Sequence, residues 1–145
     1  MLTGLTFWEH IDLGSGTPGE TGQFFVGYGA DHAWQWERTG ITYQATYSPP
    51  VIEPSGDMLA LRSLVPGVDL GDGVPVVMGD VAAALVRLDA TGAYKASRVI
   101  DRAQLVSVAR LPGGHVVSVG THYAGADLGG GPLPHRGLVI LRSEL

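Results

Sequence analysis

The chain has 145 residues, a formal net charge of -5 and no cysteine. This length suits one modest domain, and the lack of cysteine excludes disulfide bonds and thiolate metal sites. The nine Lys and Arg are scattered, which excludes the clustered basic face of a nucleic-acid-binding protein. The 22 Gly and 9 Pro, beside 45% hydrophobic residues, predict many short elements joined by turns.

Short apolar runs between Gly- and Pro-rich turns predict strands along the whole chain. In chain order they are expected near 2–8, 23–28 and 33–39, then as four strands between about 42 and 100, then as three strands that end near 143. The alanines Ala82, Ala83 and Ala84 could begin a helix, but the adjoining valines favour a strand. The sequence from Leu105 to Val119 has the β-branched content and short Gly turn of a hairpin.

An internal repeat organises these elements. Its landmarks are Asp12-Leu13-Gly14, Asp69-Leu70-Gly71 and Asp127-Leu128-Gly129, which are 57 and then 58 residues apart. Gly22, Gly79 and Gly137 follow at the same offsets, and each opens an apolar run. Pro54-Ser55-Gly56 matches Pro112-Gly113-Gly114 at an offset of 58. Three landmarks in one register predict a little over two copies of one repeat.

Parts of the repeat resemble the bacterial β-propeller repeats of the SBBP and NHL-like kinds. The resemblance rests on the string from Gln104 to Gly120, on Leu138 to Arg142, and on the turn Leu88-Asp89-Ala90-Thr91-Gly92. It implies an all-β fold of propeller-type repeats, each with four antiparallel strands, and about ten strands in roughly 2.5 to 3 blades. The first copy departs from the pattern, with Tyr28-Gly29-Ala30-Asp31 in place of that turn.

We therefore expect residues 1–145 to form a single all-β repeat domain with landmarks at 12, 69 and 127. Closed propellers usually have about four to eight blades, and an open row of sheets exposes unpaired edges and apolar faces. Two interpretations follow. Either the chain associates with itself, with two chains completing a six-bladed ring as the simplest closure, or it is a piece of a longer propeller.

Two features of the sequence bear on the location of the protein. Met1 to Trp8 lack the basic and apolar regions of a signal peptide, and no later segment approaches the ~20 apolar residues of a membrane helix. We expect no membrane span and favour an extracellular or cell-surface location.

Three sequence patterns formally match ligand-binding motifs but are better explained by a structural role. Gly14 to Gly19 matches a dinucleotide-binding turn, but Pro18 interrupts it and no helical pattern follows. Asp12, Asp69 and Asp127 could hold calcium, yet Asp also accepts hydrogen bonds from its own following backbone in a turn. The histidines lack zinc-site spacing; they are His10, His32, His115, His122 and His135. We predict no metal and no cofactor.

The remaining candidate site is aromatic. Trp34 and Trp36 lie two residues apart, hence on one face of a strand, and Tyr43 and Tyr47 follow in the next strand. Aromatic platforms bind glycans or proteins, although packing between sheets uses the same residues and is the favoured interpretation. No catalytic set such as Ser-His-Asp is visible, and acids such as Glu53 and Asp57 are scattered.

The sequence thus favours a non-catalytic binding or scaffold module for a protein or glycan ligand. One alternative is a hydrolase or lyase whose acidic residues converge in a propeller channel. Another is a structural piece of a larger assembly with no small ligand.

Overall fold

The computed structural model describes residues 3–7, 12, 14–16, 22–40, 48–74, 76, 79 and 81–144. Within these ranges the chain forms ten strands and no helix, so the all-β prediction is confirmed. The strands are β1 (Thr3–Phe7), β2 (Gly22–Tyr28), β3 (Trp34–Gly40), β4 (Val51–Ile52), β5 (Met58–Leu64), β6 (Ala82–Leu88), β7 (Tyr94–Asp101), β8 (Ala103–Arg110), β9 (Val116–His122) and β10 (Gly137–Ser143).

The described strands form three antiparallel sheets. The first sheet has the order β1-β2-β3, the second β4-β5-β6-β7, and the third β10-β9-β8. Within each sheet, strands that are consecutive in sequence pair antiparallel. The segment from Ala82 to Ala84 lies in β6 and is a strand, as predicted. The strand expected from about residue 42 falls partly on 41–47, outside the described residues.

The second sheet is buried on both faces. One face contributes Leu59, Leu61 and Leu85 to a core cluster that it shares with the third sheet. The other face belongs to a cluster that includes Met58 and Val86 and that packs against the first sheet. The strands β5 and β6 therefore read as continuous apolar runs, because alternate side chains are covered from opposite sides.

The Asp landmarks share one local structure in all three copies. In each, a single carboxylate oxygen accepts hydrogen bonds from the N–H groups two and four residues later. These bonds are Gly14 (2.8 Å) and Gly16 (3.0 Å) to Asp12, Gly71 (2.7 Å) and Gly73 (3.1 Å) to Asp69, and Gly129 (2.8 Å) and Gly131 (3.0 Å) to Asp127. They are the bonds that the turn interpretation of these residues predicts.

The turn between β6 and β7 recurs between β2 and β3, although the sequence of the first copy departs from the pattern there. The Gly29 N–H donates to the Ala33 carbonyl at 2.8 Å, as the Asp89 N–H donates to the Ala93 carbonyl at 2.8 Å. A residue with positive φ follows three positions into each turn, His32 at 61° and Gly92 at 80°. The backbone is conserved between the two turns although the letters differ.

The predicted equivalence of Gly79 with Gly22 and Gly137 is wrong. Gly22 pairs with Phe7 and Gly137 with His122, but the matching position opposite Leu64 is Ala82. The connection before β6 is longer by the three residues that separate Gly79 from Ala82. The Gly79 N–H instead donates to the carboxylate of Asp101 at 3.0 Å.

Candidate functional site

The first sheet places the two predicted tryptophans on opposite faces, so the prediction of one shared face is wrong. Trp36 pairs with Gly27 and Trp34 with Tyr28, and the register shifts between these two pairs. Gln35 is the extra residue of this β-bulge, and a bulge breaks the alternation of side chains along a strand. Sequence spacing alone could not reveal the inserted residue.

The predicted aromatic cluster is therefore divided. Trp34 packs with Val26 and Tyr28 in a small cluster of the first sheet. Trp36 packs instead against the core of the second sheet. Tyr43 and Tyr47 lie outside the described residues.

Trp36 joins the first sheet to the second. Its indole N–H donates to the carbonyl of Ala90 at 3.1 Å, in the turn between β6 and β7. A Cβ atom placed on Gly92 would lie 2.6 Å from the indole ring, so the ring rests directly on that backbone. Gly27 of the first sheet approaches the same ring from its own strand pair. This contact explains the half-buried state of Trp36 through packing.

An open depression of about 270 Å³ lies beside this contact, between the first and second sheets. Its lining is mostly apolar and consists of Gly27, Tyr28, Gln35, Trp36, Ile52, Gly56, Met58 and Ala90. Of the lining residues, Gln35 and Trp36 have polar side chains that belong to β3, and the indole N–H of Trp36 is already bonded to Ala90. Sequence analysis found Trp36 but missed Ile52 and Met58, because they come from a different sheet.

Two of the scattered acids meet in an ionic cluster on the second sheet. Asp57 accepts a hydrogen bond from Lys95 Nζ at 2.8 Å and lies 3.0 Å from Arg87 Nη2, which also contacts Glu53. The hydrogen bond from Lys95, aided by the charge of Arg87, holds the pKa of Asp57 below its usual value. An acid held in its ionised form is unsuited to donate a proton, so Asp57 is not suited to act as a general acid.

Three carboxyl groups have a pKa below the ordinary value of 3.8, and they predict that the fold loses stability in acid. In each case the first cause is a hydrogen bond to the ionised form. The donors are Lys95 for Asp57, the Gly71 N–H for Asp69, and the Thr91 side chain for Asp89. A carboxyl with a depressed folded-state pKa stabilises the fold above its unfolded pKa, and that contribution is lost as the pH falls through the folded pKa.

We therefore expect the free energy of unfolding, measured with urea at successive pH values, to decline as the pH falls from about 5 towards 2. Asp69→Asn should decline less steeply, because the amide oxygen can still accept from Gly71 but cannot titrate. The wild type and the variant should converge at the acid end. An equally steep decline in the variant would contradict the assigned role of Asp69.

The third sheet has one uncovered face. Along β10 the side chains alternate, and Leu138 and Ile140 are 86% and 76% exposed. Val117 and Val119 of β9 lie on the same side and are half-buried. We call these four residues the open face. Large adjoining apolar side chains at such exposure indicate an interaction surface.

Other kinds of site find no support in the described part of the chain. No group of three His, Asp or Glu side chains there is placed to hold a metal ion. In the same ranges, no helix has the length and apolar character to cross a bilayer. A comparison with protein-family models found no family that matches the chain, and a comparison with curated proteins found no match either.

Proposed function

We propose that this chain is a non-catalytic binding or scaffold module of the β-propeller type. The observation that carries the proposal is the burial of the second sheet on both faces, between the first and third sheets. Propeller blades stabilise one another in this way, because each small twisted sheet covers the faces of its neighbours. The recurring turns and Asp loops support a repeat in which each sheet has the same plan.

For the ligand we favour an apolar side chain of a protein over a glycan. The depression beside Trp36 is lined mainly by apolar groups, and Ile52 at its edge is 47% exposed. A glycan site normally combines a free aromatic ring face with several hydrogen-bonding groups. Here the Trp36 ring rests on Gly92 and its N–H is bonded to Ala90. The chemistry left at the surface suits an aliphatic or aromatic side chain.

The test uses amide resonances of the ¹⁵N-labelled chain during titration with N-acetyl-leucinamide, N-acetyl-tryptophanamide and, as a sugar probe, methyl glucoside. We expect the amides of Gln35, Ile52 and Gly56 to shift with the amino-acid probes, with a Kd on the order of 1 mM for ligands of this size. Ile52→Glu should remove the response, because it places a charge at the edge of the apolar depression.

Leu111→Glu is the matched control. Leu111 is 42% exposed and occupies the turn position that matches Glu53, so a Glu is compatible with its surroundings. This variant should respond like the wild type. Shifts with methyl glucoside alone would mean that the ligand is a glycan and not a protein side chain. No response to any probe would contradict binding at the depression.

A further inference from the structure

The open face occupies the same positions as a covered face elsewhere in the chain. Strand pairing aligns Val119 and Ile140 of the third sheet with Leu61 and Leu85 of the second. The same registers align Val117 with Leu59 and Leu138 with Ala83. All four positions are apolar in both sheets.

Only the coverage of these positions differs. Leu59, Leu61, Ala83 and Leu85 are at most 2% exposed, because the third sheet packs over them with residues such as Leu105 and Leu141. Their counterparts in the third sheet include Leu138 and Ile140, the two most exposed large apolar side chains among the described residues. The third sheet thus presents the same apolar surface as the second, and no sheet formed by the described residues packs over it.

The first sheet presents the complementary kind of face. In the second sheet, the side of β6 that carries Val86 faces the first sheet, and in the third sheet, the side of β10 that carries Leu141 faces the second. The pairing of β2 with β1 gives Val26 the same position in the first sheet. On that side Val26 packs beneath Tyr28 and Trp34, which are half-buried. No sheet formed by the described residues precedes the first.

We propose that the open face of the third sheet binds the Val26, Tyr28 and Trp34 face of the first sheet of a second copy. The inference rests on the proposed propeller-type packing, and it continues the contact that already joins the second sheet to the third. A ring built only from copies of the three described sheets contains a multiple of three sheets, and only six lies within the usual range of about four to eight. Two copies therefore close the ring through two identical head-to-tail contacts.

The first measurement is the molar mass by light scattering during gel filtration, from about 1 to 100 µM, a range in which specific homodimers commonly form. We expect about twice the chain mass of 15.2 kDa for the wild type. Leu138→Glu combined with Ile140→Glu should weaken the association by about 100-fold or more and give the mass of one chain, because burying unpaired charges against an apolar face is strongly unfavourable.

The matched control is Val74→Glu. Val74 is 62% exposed in the loop that follows Asp69, which belongs to neither the first nor the third sheet, so this substitution should leave the dimer intact. Far-ultraviolet circular dichroism establishes that each variant keeps its strands. A wild type with the mass of one chain, or a dimer that survives both Glu substitutions, would overturn the inference. So would a mass that keeps rising with concentration, since that is an open filament.

The absence of cysteine allows the contact itself to be tested by cross-linking. Ile140→Cys in one copy and Tyr28→Cys in another should form a mixed disulfide under air oxidation, whereas Ile140→Cys alone should not. Disulfides of Ile140→Cys with itself would mean that two third sheets meet, which overturns the head-to-tail contact. Binding of the amino-acid probes by a purely monomeric chain would leave the proposed function standing while the dimer fails.

Discussion

Leu85→Ala is expected to lower the free energy of unfolding by about 2–5 kcal/mol. Leu85 lies in β6 at the centre of the second sheet, is 0% exposed, and belongs to the cluster shared with the third sheet. Truncation removes three buried carbon atoms and leaves a cavity between the second and third sheets. Because β6 is paired with β5 on one side and β7 on the other, the backbone cannot readily move to fill it. Urea unfolding is followed by tryptophan fluorescence at a protein concentration below that at which light scattering detects the dimer, so that association does not contribute to the measured loss.

The matched control is Ile140→Ala, the same strand position in the third sheet. Ile140 is 76% exposed, so its truncation should change the stability of the isolated chain by less than about 0.5 kcal/mol. At concentrations that favour the proposed dimer, the Ile140→Ala variant should have a lower free energy of unfolding than the wild type. Equal losses for Leu85→Ala and Ile140→Ala in the dilute monomer would mean that the two faces are not covered as described.

The sequence was sufficient to predict most of the strands because their signals are local. The turns of the chain carry Gly at positions such as Gly92 and Gly113, where φ is positive, and the runs between them are rich in apolar residues. The predicted segments near 23–28 and 33–39 correspond to β2 (Gly22–Tyr28) and β3 (Trp34–Gly40) to within one residue. The adjoining valines also indicated a strand rather than a helix over Ala82 to Ala84, where β6 lies.

The candidate site was harder to predict because it depends on contacts between distant segments. The bulge at Gln35 turns Trp36 away from Trp34, and nothing in the letters marks an extra residue in the pairing. The depression also needs Ile52 and Met58, whose approach to Trp36 is set by the packing of two sheets. The residue type alone identified Trp36 as a candidate, whereas Ile52 and Met58 could be found only from the three-dimensional arrangement.

Gly92→Ala should have the second large effect, a loss of about 2–5 kcal/mol in the free energy of unfolding. Gly92 is buried with a φ of 80°, a left-handed conformation that disfavours a side chain by about 1–2 kcal/mol. The new methyl group would also lie 2.6 Å from the indole ring of Trp36, closer than real Cβ atoms approach. The ring must move, which weakens its hydrogen bond to Ala90 and the contact between the first and second sheets.

Two other positions separate the backbone effect from the contact with Trp36. Gly67 has a φ of 82° with no atom within 4 Å of a new Cβ, so Gly67→Ala should lose only about 1–2 kcal/mol. His32 shows that the equivalent turn accepts a side chain where it is exposed. The excess cost at Gly92 should therefore shrink when Gly92→Ala is made in a Trp36→Leu background, as a double-mutant cycle would measure. If the excess cost is unchanged there, Trp36 does not link the two sheets through this turn.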